Sequence, residues 1–198
     1  YLKEEIWPLI KQQLPASKLE IYGAYPSQRV WNLHNEKEGF LVKGRAENAA
    51  EVMQNAKVCL APIRFGAGLK GKLIQAMQCG TPTVTTSIGV EGIAGELNWN
   101  GFIANDAKEF ADKSVQLYSE ENLWQDSVEN GFKIINSRFN KDAFQHKFLE
   151  RITDLFQNID FYRQKNFVGK LLQHHQHRST YFMAKFIEEK EKNKKTAG

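Results

Sequence analysis

The chain has 198 residues, of which 41% are hydrophobic and 12% aromatic, enough apolar material to fill a folded core. Its 27 basic and 23 acidic side chains leave a net charge of only +4, which argues against a general surface for polyanions such as nucleic acids. No apolar run is long enough to span a membrane, and no signal-peptide pattern opens the chain. These features predict a soluble, cytoplasmic protein.

The first residue is Tyr1 rather than methionine, so we expect a piece of a longer chain or a processed one. The two cysteines, Cys59 and Cys79, lack CxxC spacing. Two reduced thiols in the core are therefore expected, rather than a disulfide or a metal site.

The first part of the chain alternates between helix and strand patterns. Apolar residues at helical spacing predict a helix over 1–14, in which Pro8 marks a kink or a late start. Strands are predicted over 19–22 and, after a short helix that starts at Pro26, over 40–42. A helix over 47–56 then leads into the most informative stretch of the sequence.

Residues 58–92 predict a βαβ unit. The apolar run 58–61 has the pattern of a strand that is buried on both faces. A helix is predicted from about residue 69 to Cys79, with Gly80 as its C-terminal glycine, and a second strand over 83–86. Strands joined through a helix in this way pair in parallel.

The loop before this helix combines a permissive backbone with positive charge. Gly66 and Gly68 allow positive φ angles and a close approach by a ligand. The N–H groups at the start of the helix favour an anion, and Arg64, Lys70 and Lys72 add cationic side chains. The pattern indicates a phosphate or diphosphate site; the alternative is an ordinary solvated first turn of a helix.

This stretch resembles the nucleotide-sugar site of the family 4 glycosyltransferases. The matching segments are APIRFGAGLKGK (61–72), QAM (75–77), GTPTVTT (80–86) and GVEG (89–92). The resemblance implies a retaining enzyme of the two-domain GT-B fold, of which this chain is the C-terminal, donor-binding domain. The implied fold class is α/β, with a Rossmann-like parallel sheet flanked by helices and a helical C-terminal extension.

Two positions differ from the usual family motif. The family places a glutamate before the Ala-Met pair, where it accepts hydrogen bonds from the donor ribose, whereas this chain has Gln75. An amide oxygen still accepts from a hydroxyl, but without charge assistance. Ala67 replaces the partner glutamate, as in the glycine-rich variants of the family. We therefore expect a weaker bond to the ribose.

The resemblance also implies roles for single residues. Lys70 and Lys72 act catalytically, because they stabilise the charge that develops on the departing diphosphate. Arg45 either stacks on the base or contacts the donor, or it lies on the surface without a role, and Glu91 either touches the donor sugar or caps the following turn. The implied donor-binding residues are Arg45, Arg64, Gly66, Gly68, Gln75 and Glu91. No cofactor and no metal are implied, since the NDP-sugar is the substrate.

Helices dominate the sequence after residue 92. A loop over 87–95 and a strand over 102–104 precede a helix that Asp106 caps. The next helix, over 121–137, carries an apolar stripe of Leu123, Trp124, Val128, Phe132 and Ile135. A third helix begins near residue 139, and its expected core-facing residues are Phe144, Phe148, Ile152 and Phe156.

Residues 1–158 are predicted to form the donor domain, without its first strand, which the resemblance places before Tyr1. Residues 159–198 then form a polar link over 160–167, a helix over 168–189 and a charged tail. In GT-B enzymes the last helices cross onto the N-terminal domain, so its absence would expose apolar side chains. The histidines of the extension, at 174, 175 and 177, lack carboxylate or cysteine partners at metal-site spacing, which favours a polar helix face.

The leading hypothesis is the donor half of a hexosyltransferase-like group 1 enzyme that builds polysaccharide or glycoprotein. An N-terminal domain would bind its acceptor, which is a glycan, a lipid or a protein. The alternatives are a nucleotide-sugar epimerase of GT-B fold and a degenerate nucleotide-sugar-binding module, which Gln75 favours.

Overall fold

The computed structural model describes residues 1–195, with every side chain in that range except those of residues 174–177 and 194–195. The predicted polar face at His174, His175 and His177 therefore lies outside the described side chains. The chain divides after Asn140 into two compact units. The predicted donor-domain boundary at residue 158 falls within the second unit and stays a prediction.

The first unit alternates strands and helices, as the sequence predicts. Its strands are β1 (Leu19–Tyr22), β2 (Phe40–Gly44), β3 (Cys59–Ala61), β4 (Thr83–Thr85) and β5 (Gly101–Ile103). A π-helical segment (Leu2–Ile6) precedes its helices, which are α1 (Trp7–Gln13), α2 (Gln28–Trp31), α3 (Ala49–Asn55), α4 (Gly71–Gln78), α5 (Ser87–Val90), α6 (Ala107–Ser119) and α7 (Glu121–Arg138).

One helix of this unit was not expected. Helix α5 occupies part of the predicted loop over 87–95, because Thr86 caps its start by accepting a hydrogen bond from the Gly89 N–H. At α6, by contrast, Asp106 accepts from the Glu109 N–H, and this predicted cap is confirmed.

The strands form two parallel sheets. Strand β1 pairs with β2, and a second sheet has the order β3-β4-β5. In the described residues, no strand pairing joins the two sheets. The expected burial of β3 on both faces is wrong, because β3 is an edge strand and its residues are half-buried, whereas the central β4 is fully buried.

Two buried clusters hold the first unit together. The first draws on both sheets and on α1 and α6, with Phe40, Val84 and Phe110 among its members. The second packs α4 against α7 through Leu73, Met77 and Ile134. These contacts fix the helix that begins at the glycine-containing loop.

Helix α7 buries most of the predicted stripe, since Leu123 and Ile135 pack against the two clusters and Trp124 and Val128 are half-buried. Its deepest residues are Ser127, Gly131 and Ile134, while Phe132 of the expected stripe is 43% exposed. Gly131 explains the difference, because a Cβ there would lie 3.2 Å from the Asn100 Cβ and so a larger side chain would prevent this close packing.

The second unit consists of α8 (Lys141–Gln157), α9 (Ile159–Lys165) and α10 (Phe167–Lys195). Helix α9 replaces the predicted polar link. The sequence predicted that four side chains of α8 face the core, and this prediction is wrong. The two clusters contain only residues of the first unit, and all four α8 side chains are exposed: Phe144, Phe148, Ile152 and Phe156. Within the described part of the chain, no helix has the length and apolarity that a membrane crossing requires.

Candidate functional site

The candidate site is built at the carboxyl ends of β3 and β4. The Thr85 hydroxyl donates to the Ala61 carbonyl oxygen at 2.8 Å, and the Thr86 hydroxyl donates to the Ile63 carbonyl oxygen at 2.5 Å. These two bonds hold the start of the segment that follows β3. We call this segment, residues 62–70, the glycine loop.

Two residues of the glycine loop have backbone conformations that favour glycine. Gly66 has a φ of +145° and Gly68 has a φ of +71°. A Cβ at Gly68 would meet no atom within 4 Å, and one at Gly66 would reach only the Lys70 side chain, at 4.0 Å. The two glycines are therefore needed for the course of the backbone rather than for close packing.

The glycine loop ends at the N-terminus of α4, where Lys70 is the N-cap residue. The Lys70 carbonyl oxygen accepts from the Leu73 N–H at 2.9 Å, but no side chain caps the N–H groups of the first turn. An uncapped first turn has N–H donors and the positive end of the helix dipole, and both favour an anion.

The Lys70 ammonium is enclosed between the glycine loop and Glu91. Its Nζ lies 3.8 Å from the Glu91 carboxylate and 3.5 Å from the Gly66 carbonyl oxygen. The Lys70 side chain is 10% exposed, whereas that of Glu91 is 64% exposed. The structure thus brings together three of the predicted residues through a contact that the sequence did not indicate.

Lys72 adds a second, unneutralised cation to the first turn of α4. Its side chain is exposed, and it forms no ion pair with any residue whose side chain is described. Burial raises the pKa of the Cys59 thiol on β3 to about 11, and the positive charge of Lys72 opposes this rise. The charge of Lys72 therefore acts on Cys59, the first residue of β3.

The remaining predicted residues are more dispersed. Gln75 is half-buried on α4, one turn after the start of the helix. The Arg64 guanidinium lies 5.1 Å from the centre of the Tyr1 ring. Arg45 is exposed and directly follows β2, which belongs to the two-stranded sheet and not to the sheet that carries the glycine loop. The described contacts do not join Arg45 to the glycine loop.

Arg138 supports the site, although no sequence motif points to this residue. From the last turn of α7, its Nε donates to the Ile93 carbonyl oxygen at 2.6 Å, and its Nη2 donates to the Gly92 carbonyl oxygen at 3.2 Å. A Cβ at Gly95 would overlap the same guanidinium. Arg138 thus holds the segment after Glu91. A basic residue in the last turn of a helix is common, so nothing in the sequence marks this one.

Comparisons with known proteins agree with this architecture. Residues 1–120 match the family described as glycosyl transferases group 1. Among curated proteins, no match was found.

Several solved structures are similar to this chain. A TarM variant of S. aureus, in complex with fondaparinux, alpha-GlcNAc-glycerol and UDP, is 21% identical, with a TM-score of 0.65 over 75% of this chain and 31% of that one. The pneumococcal O-GlcNAc transferase GtfA, in complex with UDP and GlcNAc, is 19% identical, with a TM-score of 0.60 over 76% and 33%. Sucrose-phosphate synthase from Thermosynechococcus elongatus is 19% identical, with a TM-score of 0.59 over 79% and 43%.

The chain spans less than half the length of each of these structures. At such identities the similarity shows the fold, while the family match covers more than half of the chain. The chain therefore belongs to the group 1 glycosyl transferases and has the fold of the C-terminal part of their GT-B enzymes.

Proposed function

We propose that this chain is the donor-binding part of a retaining glycosyltransferase that uses an NDP-sugar and transfers the sugar to a glycan, lipid or protein. One observation carries the proposal: the enclosed Lys70 ammonium adjoins the uncapped N-terminus of α4 and a loop of two positive-φ glycines. Such a site is complementary to a diphosphate.

The chemistry of sugar transfer requires positive charge at this place. When the bond from the anomeric carbon to the leaving oxygen breaks, negative charge accumulates on the diphosphate and the sugar gains oxocarbenium character. Groups that are already positioned around the diphosphate stabilise this charge without reorganising. In our proposal Lys70, Lys72 and the first N–H groups of α4 perform this function.

Glu91 keeps the Lys70 side chain ordered until the donor arrives. Its ion pair with Lys70 is long, at 3.8 Å, and its carboxylate is largely exposed, so the pair is weak. A diphosphate carries more charge and displaces the carboxylate. Glu91 is then available to accept a hydrogen bond from a hydroxyl of the donor sugar.

The other donor contacts follow from the same placement. Gln75 accepts a hydrogen bond from the ribose, and Arg64 adds positive charge near the end of β3. We assign Arg45 to the nucleobase of the donor, although none of its described contacts joins it to the glycine loop. The TarM and GtfA structures contain UDP, which makes UDP the first nucleotide to test on this chain.

Titration calorimetry of the chain with UDP, UMP, uridine and GDP tests this assignment. If the site recognises a diphosphate, UDP or GDP binds at least tenfold more tightly than the monophosphate, and uridine binds more weakly still. A folded chain that binds uridine as tightly as UDP, or that binds no diphosphate, contradicts the proposal. Circular dichroism establishes the fold in each case.

A second function is favoured by one residue. Because Gln75 replaces the usual glutamate, a non-catalytic nucleotide-sugar-binding module also fits the site. Incubation of the full-length parent protein, which includes the acceptor-binding domain, with an NDP-sugar labelled in the sugar separates the possibilities: release or transfer of labelled sugar supports catalysis, and an epimerised product supports the epimerase. Binding without any labelled product supports the non-catalytic module.

A further inference from the structure

The last helix of the chain exposes two apolar clusters, within 168–172 and 182–187, which the polar residues 173–180 separate. Phe182, Met183, Phe186 and Ile187 of α10 are 51–63% exposed, and earlier turns expose more apolar side chains, Val168, Leu171 and Leu172. Spacings of three, four and seven residues place most of them on one side of the helix. We call these two clusters together the apolar face of α10; exposed apolar clusters aligned in this way are typical of an interaction surface.

A line of basic residues borders this face. Arg178, Lys185 and Lys192 are separated by seven residues, close to two helical turns, so they follow one another along the helix. The Lys185 ammonium lies 5.2 Å from the centre of the Tyr181 ring. The Lys192 ammonium lies 3.4 Å from the exposed Glu189 carboxylate, a weak surface pair for which lipid phosphates compete. The helical spacing places the three cations at the edge of the apolar face, where long side chains can reach a charged layer.

The charge of the chain is concentrated in the same unit. Residues 141–198 contain twelve basic and seven acidic residues, a net charge of +5, whereas residues 1–140 contain fifteen and sixteen, a net charge of −1. The excess positive charge thus accompanies the exposed apolar helix rather than the candidate donor site.

We propose that α10 lies on the surface of an anionic lipid membrane, parallel to the plane of the bilayer. The apolar face enters the boundary between headgroups and acyl chains, and the basic line contacts lipid phosphates. Charge complementarity favours this occupant over the N-terminal domain onto which the last helices of GT-B enzymes cross, because an apolar protein groove would gain nothing from the net charge of +5. The proposal does not depend on the function of the donor site.

Flotation of the full chain with lipid vesicles tests the proposal. The chain should float with vesicles of phosphatidylcholine mixed with phosphatidylglycerol, and should remain below vesicles of phosphatidylcholine alone. The variant Arg178→Gln/Lys185→Gln/Lys192→Gln should bind the anionic vesicles more weakly, by on the order of a hundredfold. Glutamine has nearly the helix propensity of arginine and lysine, so circular dichroism should show unchanged helix content.

Two further variants separate lipid binding from general effects of charge. Phe182→Ser/Phe186→Ser should abolish flotation, because it removes apolar contact and leaves the charge intact. Lys18→Gln/Lys37→Gln/Lys133→Gln removes the same charge from exposed positions of the first unit and should float like the unaltered chain.

Several results would overturn the proposal. These are no flotation with anionic vesicles, equal flotation with neutral vesicles, or an equal effect of the α10 and first-unit lysine variants. Another such result is a chain that fails to bind vesicles and forms a dimer by light scattering, which the variant Phe182→Ser/Phe186→Ser dissociates. In that case the apolar face of α10 is a dimer interface between two copies of the chain.

Discussion

The side chain of Lys70 is positioned by backbone on one side and by a carboxylate on the other. The Gly66 carbonyl oxygen and Glu91 both lie near its ammonium, and Arg138 holds the backbone that follows Glu91. This arrangement orders a flexible side chain before any ligand is present. Preordering lowers the entropy that binding would otherwise lose.

The variant Glu91→Gln tests whether Glu91 binds the Lys70 ammonium in the free chain and a hydroxyl of the donor sugar in the complex. In this variant the Gly66 carbonyl oxygen still positions the Lys70 ammonium, while the carboxylate that competes with the diphosphate is gone, so UDP binding should tighten up to about fivefold, the upper range for an exposed pair. UDP-sugar should gain less than UDP, because the contact between Glu91 and the sugar is lost. Calorimetry measures both affinities, and weaker binding of UDP would contradict the account of Glu91.

The Cys59 thiol reports on the charge of Lys72. Burial raises its pKa to about 11, so the thiol stays protonated at neutral pH and its alkylation should accelerate up to about that pH. Because Lys72 opposes the rise, Lys72→Ala should raise the pKa further. The rate of alkylation against pH, in a Cys79→Ser background, measures both effects. A plateau near pH 9, or no effect of Lys72→Ala, would contradict this placement.

The raised pKa of the Cys59 thiol makes the free energy of unfolding depend on pH. The pKa of Cys59 is raised in the folded state above the ordinary value of 9.0 for a cysteine thiol, so folding favours the protonated thiol. Its contribution to the free energy of unfolding is therefore complete below pH 9 and is lost as the pH rises towards 11.

Among the elements, α5 and β4 depend on the absence of a side chain at Gly89. A Cβ there would overlap the Thr85 hydroxyl, which bonds to Ala61 on β3. We expect Gly89→Ala to lower the free energy of unfolding by about 1–3 kcal/mol. Urea denaturation checks this value.

Gly23→Ala is the matched control for Gly89→Ala. A Cβ at Gly23 would meet no atom within 4 Å, and its φ is not positive, so this substitution should change stability by no more than about 0.5 kcal/mol. Equal effects of the two substitutions would show that the contact with Thr85 is unimportant.

Local signals in the sequence predicted local structure well. Asp106 marked the start of α6 because an N-cap depends only on its own helix, and Gly80 marked the end of α4 for the same reason. Burial was predicted less well, because it depends on distant neighbours. Phe132 turned outward where Gly131 packs closely, and β3 lies at the edge of its sheet.

In the candidate site, too, local features were predictable from the sequence and contacts between distant segments were not. The glycine loop, Lys70 and Lys72 are adjacent in the sequence, so a motif identifies them together. The pairing of Lys70 with Glu91 and the support from Arg138 join distant segments, and only the fold brings these segments close.

At the scale of the whole molecule, both buried clusters lie within residues 1–140. A chain that ends at Asn140 should therefore fold cooperatively and bind UDP within about twofold of the full chain. Thermal unfolding by circular dichroism and calorimetry measure these properties. If that chain is unfolded while one that ends at residue 158 folds and binds, the donor domain extends to the boundary that the sequence suggested.

The most direct test of the central claim is calorimetric titration of UDP and GDP into Lys70→Ala/Lys72→Ala. The control is Lys108→Ala/Lys133→Ala, which removes two exposed helix lysines away from the glycine loop. Loss of the enclosed Lys70 contact alone should weaken binding by about 1.5–3 kcal/mol, and the exposed Lys72 adds less. The control should bind as the unaltered chain does. Diphosphate binding that survives in Lys70→Ala/Lys72→Ala would place the donor elsewhere and contradict the account.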